Sequence, residues 1–153
     1  MDYAAALALA RTAARLGTDD LETPTGCVVL DGEGNVAAVG WNRLPPGVAR
    51  PRERRVRPGK YKWMIHAERH ALMAARKSLR GHVMALPWFP CSDCAARIRA
   101  AGIARLVCFE PDFDHPRWTL EFRRAEMELR AGGVELVFVE GSAEVARIEA
   151  EVS

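Results

Sequence analysis

His66, Glu68, Cys91 and Cys94 are the residues whose types and spacing point to chemistry. Cys91 and Cys94 stand three positions apart in "PCSDC" (90–94), at the start of a helical pattern, where the helix dipole favours thiolates. On its own, a Cys-x-x-Cys pair suits a metal or a redox reaction equally well. "HAE" at 66–68 separates the two. His66 adds a nitrogen ligand to two sulfurs, and three protein ligands leave one tetrahedral position open, the arrangement of a catalytic zinc. His70, Cys108 and His115 are candidate fourth ligands, His70 because it follows His66 by one helical turn. A fully closed site would leave Glu68 without a task. Two residues beyond His66, the Glu68 carboxylate can approach the metal without ligating it. From there it can move protons for water that a zinc activates at neutral pH. That pairing suits hydrolytic attack on an amidine-like carbon with loss of ammonia.

These residues need elements to hold them together, and the chain reads as alternating helices and strands. Residues 2–16 have the 3.6-residue apolar period of a helix, with Tyr3, Leu7, Ala10 and Ala14 on one face. "GCVVLD" (26–31) and "VAAVGW" (36–41) flank the turn "GEGN" and form a hairpin. Residues 42–62 are irregular, since "RLPPG" removes two backbone donors. The pattern then predicts helices over 66–79, 91–101 and 116–131, with strands over 82–88, 104–109 and 134–139 between and after them. Pro116 opens the third of these helices, and Gly102 and Gly132-Gly133 close the second and third. A short helix follows from about 142. Strands alternating with helices favour parallel neighbours and one sheet with helices on both faces, an α/β fold.

Composition narrows the class. A chain of 153 residues suits a single domain, residues 1–153, with room for a core. A net charge of only +2 gives no general argument for nucleic acid or membranes. The opening apolar run is too short to span a bilayer, and Asp2, Arg11 and Arg15 make it an amphipathic helix, not an export signal. Four cysteines in a chain that needs no staples read as reduced thiols in a cytoplasmic compartment. Cys27 and Cys108 read as small buried hydrophobes. His82 and His115 are given no role.

H-x-E followed by P-C-x-x-C is the signature of zinc-dependent nucleobase deaminases. The chain resembles the cytidine/deoxycytidylate deaminase superfamily over nearly its whole length, and most closely the deoxycytidylate branch. The likeness rests on "VGWNRLPPGV" (39–48), "KYKWMIHAERHAL" (60–72), "FPCSDCAARIRAAGIARLV" (89–107) and "AGGVEL" (131–136). It implies a three-layer α/β/α sandwich with a mixed five-stranded sheet in the order 2-1-3-4-5. It also implies zinc-dependent hydrolytic deamination of a cytosine-type base in a free nucleotide or nucleoside. Zn2+ would be held by His66, Cys91 and Cys94, with Glu68 as acid and base. Substrate would be held by the Asn42 side chain, the Ala67 amide and the Pro90 carbonyl, in a homo-oligomer. Trp88 and Phe89, just before the zinc loop, would offer the base an aromatic face or else pack in the core.

Two departures bear on substrate. The segment "DDLETPTGCVVL" (19–30) lacks the basic group that the branch associates with phosphate, and His70 replaces its usual Asn. Conversely, "RPRERRVRPGKYK" (50–62) carries seven basic residues against Glu53, which reads as a flap for an anionic nucleotide, a contact for a nucleic-acid backbone or a solvated loop. Three alternatives stand beside the cytosine reading: a purine-type deaminase acting on guanine or on tRNA adenosine, a non-catalytic zinc and nucleotide-binding module, and a thiol redox protein.

Overall fold

A computed structural model describes residues 1–141, and the short helix expected from about 142 lies outside them. Ten numbered elements follow in order: α1 (Tyr3–Gly17), β1 (Gly26–Leu30), β2 (Val36–Trp41), α2 (Lys60–Trp63), α3 (Ala67–Ala74), β3 (Val83–Ala85), α4 (Ser92–Ala100), β4 (Arg105–Phe109), α5 (Thr119–Ala131) and β5 (Glu135–Val139). The sheet order is β2-β1-β3-β4-β5. β1 pairs antiparallel with both β2 and β3, while β3–β4 and β4–β5 are parallel. This is the expected mixed sheet in the expected order.

Alternation along β1 shows how the three layers form. Val28 and Leu30 face α1, joining Leu7, Ala10, Val83 and Val107 in one buried cluster. Cys27 and Val29 face the other way and join Ala71 of α3, Ile98 of α4 and Leu129 of α5 in the second. All five residues of β1 are buried, as a strand covered on both faces must be. Two glycines set the helix-to-sheet distance. A Cβ on Gly26 would lie 1.9 Å from the Ala10 carbonyl oxygen of α1, and one on Gly40 would lie 2.2 Å from the Ala67 carbonyl oxygen of α3. Neither position has room for a side chain, so both helices sit directly on the backbone of the sheet.

Several boundaries differ from the sequence reading. α3 stops at Ala74, where Ala75 turns extended, instead of running to residue 79. Arg76, Lys77 and Ser78 bring no apolar group to the sheet, and Leu79 is buried as the anchor of a loop. β3 has three residues, not seven; Leu86 still donates to Val107, after which Pro87 cannot. Pro116 lies in a turn closed by the Trp118 and Thr119 amides on the His115 carbonyl, so α5 begins at Thr119. The irregular stretch 42–62 holds a 3-10 turn at Arg52–Arg54 and the start of α2. Among the described residues, no helix is long and apolar enough to cross a membrane.

Candidate active site

α3 and α4 present their N-termini to one place. His66 is the N-cap of α3, in extended conformation, and Glu68 lies in its first turn. Cys91 is the N-cap of α4, and its sulfur accepts the Cys94 backbone N–H at 3.4 Å. The His66 Nδ1 lies 3.2 Å from the Cys94 sulfur and 3.7 Å from the Cys91 sulfur. One ligand atom from each of the three residues falls within 4.8 Å of the others. A tetrahedral zinc with Zn–S of about 2.3 Å and Zn–N of about 2.0 Å has N···S edges of about 3.6 Å, so the set fits that ion.

The charges agree with the geometry. The Cys91 thiol is pulled down to about 4, first by the Cys94 thiol donating to it and then by His66 and the Cys94 amide, against burial. Cys94 is pushed up, first by that same bond to Cys91 and then by burial, so the pair by itself carries a single negative charge. A divalent cation between the sulfurs is what allows both to ionise. Glu68 is 5% exposed and its pKa is raised, burial being the main cause. Burial thus favours the protonated carboxyl more than water would, which suits a group that exchanges protons.

Contacts at longer range lock the two helix starts. Arg69 of α3 forms an ion pair with Asp93 of α4, bridging the elements that carry the ligands. The His70 Nδ1 accepts the Trp41 backbone N–H at 3.0 Å, and its ring meets the Trp41 ring edge-on with centroids 4.5 Å apart. His70 thus ties α3 to β2, and it is outside the ligand cluster. Cys108 lies buried in the core, its thiol raised by burial to about 12. Glu121, at the start of α5, accepts the Ser92 backbone N–H at 2.7 Å and the Ser92 hydroxyl at 2.6 Å. That carboxylate caps α4 beside Cys91, and sequence reasoning missed it because 29 residues separate the partners.

His66, Ala67, Glu68 and Cys91 open into a cavity of about 860 Å³. Trp88 and Phe89 both line it. Phe89 is 2% exposed and packs edge-to-face on Phe113 and Phe122, so it serves the core as well as the wall. Pro90 is fully buried and is not among the lining residues. Asn42 lines the cavity, yet its carboxamide is engaged on all sides. Oδ1 accepts from the Thr25 amide at 3.0 Å and the Thr18 hydroxyl at 2.5 Å, and Nδ2 donates to Asp20 at 3.2 Å and the Thr23 carbonyl at 2.9 Å. His115, a candidate fourth ligand from sequence, also reaches the lining but is outside the ligand cluster found among the described residues.

The two unusual segments explain one another. The acidic stretch after α1 is the partner of the basic stretch before α3. Arg50 pairs with Asp19 at 3.3 Å, Arg57 with Glu22 at 3.2 Å and Lys60 with Asp20 at 3.1 Å.

Comparison with known proteins supplies the family. A model described as the cytidine and deoxycytidylate deaminase zinc-binding region matches residues 2–110. The chain belongs to this family. This deaminase is 31% identical over 121 residues to an Aliivibrio fischeri protein described as an uncharacterized deaminase in the luxG 3′ region, spanning 78% of this chain and 82% of that one. It is 28% identical over 96 residues to the human deoxycytidylate deaminase, across 58% of this chain and 53% of the human one, so it spans about half of that enzyme. The cyanophage S-TIM5 dCMP deaminase shares its fold, with a TM-score of 0.68 at 22% identity over 90% of this chain and 96% of that one. The deaminase is a hydrolytic enzyme and its cofactor is Zn2+.

Proposed function

We propose that this deaminase hydrolyses the exocyclic amine from a cytosine-type base carried by a free nucleotide or nucleoside. The observation that carries the reading is a buried Glu68 carboxyl opening into the same cavity as His66 and Cys91, which cluster with Cys94. The relatives support the cytosine class: the human one is a deoxycytidylate deaminase, and the cyanophage enzyme has been solved with dCMP and dUMP.

In this reading His66, Cys91 and Cys94 hold the zinc. The bound ion supplies Lewis acidity, which activates water at neutral pH. Glu68 takes the proton of the attacking water as its oxygen bonds to C4. It passes that proton to the ring nitrogen, then takes the second from the new C4 hydroxyl and gives it to the amine, so the C4–N bond breaks and ammonia leaves as the C4 carbonyl forms. The raised Glu68 pKa suits a group that must carry a proton in both directions. Ala67 is the first residue of α3, where backbone N–H groups have no partner within the helix, and its amide holds the base. Trp88 lies against the ring; the Pro90 carbonyl, which the resemblance assigned to the amine, is outside the cavity lining and would reach it only after a shift of the loop. Because Asn42 already has four partners, a direct substrate contact by its side chain would displace one of them. Its partners are the small-molecule substrate and further copies of the chain.

The experiment is an ammonia-release panel on protein of measured zinc content. It covers dCMP, dCTP, deoxycytidine, cytosine, guanine and a tRNA anticodon stem. Release from a cytosine compound above all others is expected. Release from guanine or the tRNA stem alone would refute the cytosine reading. Salt-dependent RNA binding without any deamination would indicate a non-catalytic module.

A further inference from the structure

The cations that reach the cavity from residues 50–62 already have partners. Lys60 and Asp20, both with 4% exposed side chains, lie 3.1 Å apart, and Lys60 also donates to the Thr23 hydroxyl at 2.9 Å. Arg57 places Nη1 3.2 Å from Glu22 Oε2 and donates through Nε to the Tyr61 hydroxyl at 2.9 Å. Glu22 is held in turn: its Oε1 accepts the Arg57 backbone N–H at 2.5 Å and lies 3.5 Å from Lys60 Nζ. It is therefore a fixed carboxylate paired with Arg57, whose side chain is half-exposed.

The loop between β4 and α5 adds two carboxylates and one cation, Arg117, to the lining. Glu110 and Asp112 line the cavity, and Glu121 follows at the start of α5. The Arg117 guanidinium of that loop lies over the Trp118 ring at 4.9 Å. With Arg11, the lining cations number four among the described residues, against five carboxylates counting Glu68 and Asp20. A 5′-phosphomonoester carries between one and two negative charges at pH 7, and a cavity of this balance offers it no net attraction.

We propose that this cavity selects the uncharged nucleoside over its 5′-monophosphate, with the Glu22–Arg57 ion pair as the selecting element. The inference rests on the cytosine reading above and deepens it to a substrate class. The acidic residues of segment 19–30 then set specificity: they supply the carboxylates that occupy Arg50, Arg57 and Lys60.

The test compares kcat/KM for deoxycytidine and dCMP with the zinc-loaded protein. Wild type is expected to favour deoxycytidine. Glu22→Gln uncovers Arg57 and is expected to raise the dCMP-to-deoxycytidine ratio by roughly fivefold, the scale of one exposed charge pair, with the gain shrinking in high salt. Arg57→Gln leaves the Glu22 carboxylate uncovered and is expected to lower that ratio, the opposite direction from Glu22→Gln. A wild-type preference for dCMP, or no rise in the dCMP-to-deoxycytidine ratio in Glu22→Gln, would overturn the inference and leave the cytosine reading standing. Failure to turn over either compound would overturn both.

Discussion

At the residue scale, one histidine separates structural from chemical use. His70 is aligned with His66 by one helical turn, which made it a candidate ligand, but its ring is committed to the Trp41 amide. Burial lowers the His70 pKa, with Arg43 adding to the effect. A histidine whose folded pKa lies below its unfolded value stabilises the fold above about pH 6.5, and that contribution is lost as pH falls through the folded value. Thermal unfolding should therefore show a larger fall in Tm between pH 7 and pH 5 for wild type than for His70→Gln. The grouping of His66, Cys91 and Cys94 with Glu68 beside them was legible because the spacing is local: each half of the motif lies within one turn of a helix start. Asn42 shows the opposite case. The resemblance implied a substrate contact there, while its four partners come from segments 17 to 24 residues away along the chain and leave no local pattern.

At the element scale, the site depends on how closely α3 sits on β2. Gly40 permits that contact, because a Cβ there would meet the Ala67 carbonyl oxygen at 2.2 Å and the Ala71 nitrogen at 2.4 Å. Both neighbours are backbone and cannot rotate away. Gly40→Ala should cost about 2 kcal/mol by overpacking and lower Tm by about 4–8 °C. It should also weaken zinc retention against a chelator, since α3 carries His66. Helix and strand order was legible from apolar period, as α1 and β1 show. The ends of α3 and β3 were not, because a helix stops where its next residues find nothing apolar to cover. Ser92 and Glu121 illustrate a further limit: a cap supplied from a different helix leaves no local pattern.

At the scale of the whole molecule, charge joins segments that the sequence keeps apart. Asp20 and Lys60 are 40 residues apart and buried together, closing the chain around Asn42 and the cavity wall. Asp20→Asn leaves Lys60 buried without its counter-ion and should destabilise the fold by about 3 kcal/mol or more, measured by urea unfolding. Read in sequence, the acidic and basic runs looked like independent oddities; only the fold shows that they are partners. The two helix starts, the cavity and this closure converge on one account, a zinc hydrolase in which Glu68 moves the protons. Its most direct test is Glu68→Ala, with zinc per chain and ammonia release from deoxycytidine and dCMP measured on the same samples as wild type. The account predicts about one zinc in both proteins and a loss of roughly 10³-fold or more in release by the variant. Full turnover by Glu68→Ala with its zinc in place would contradict it.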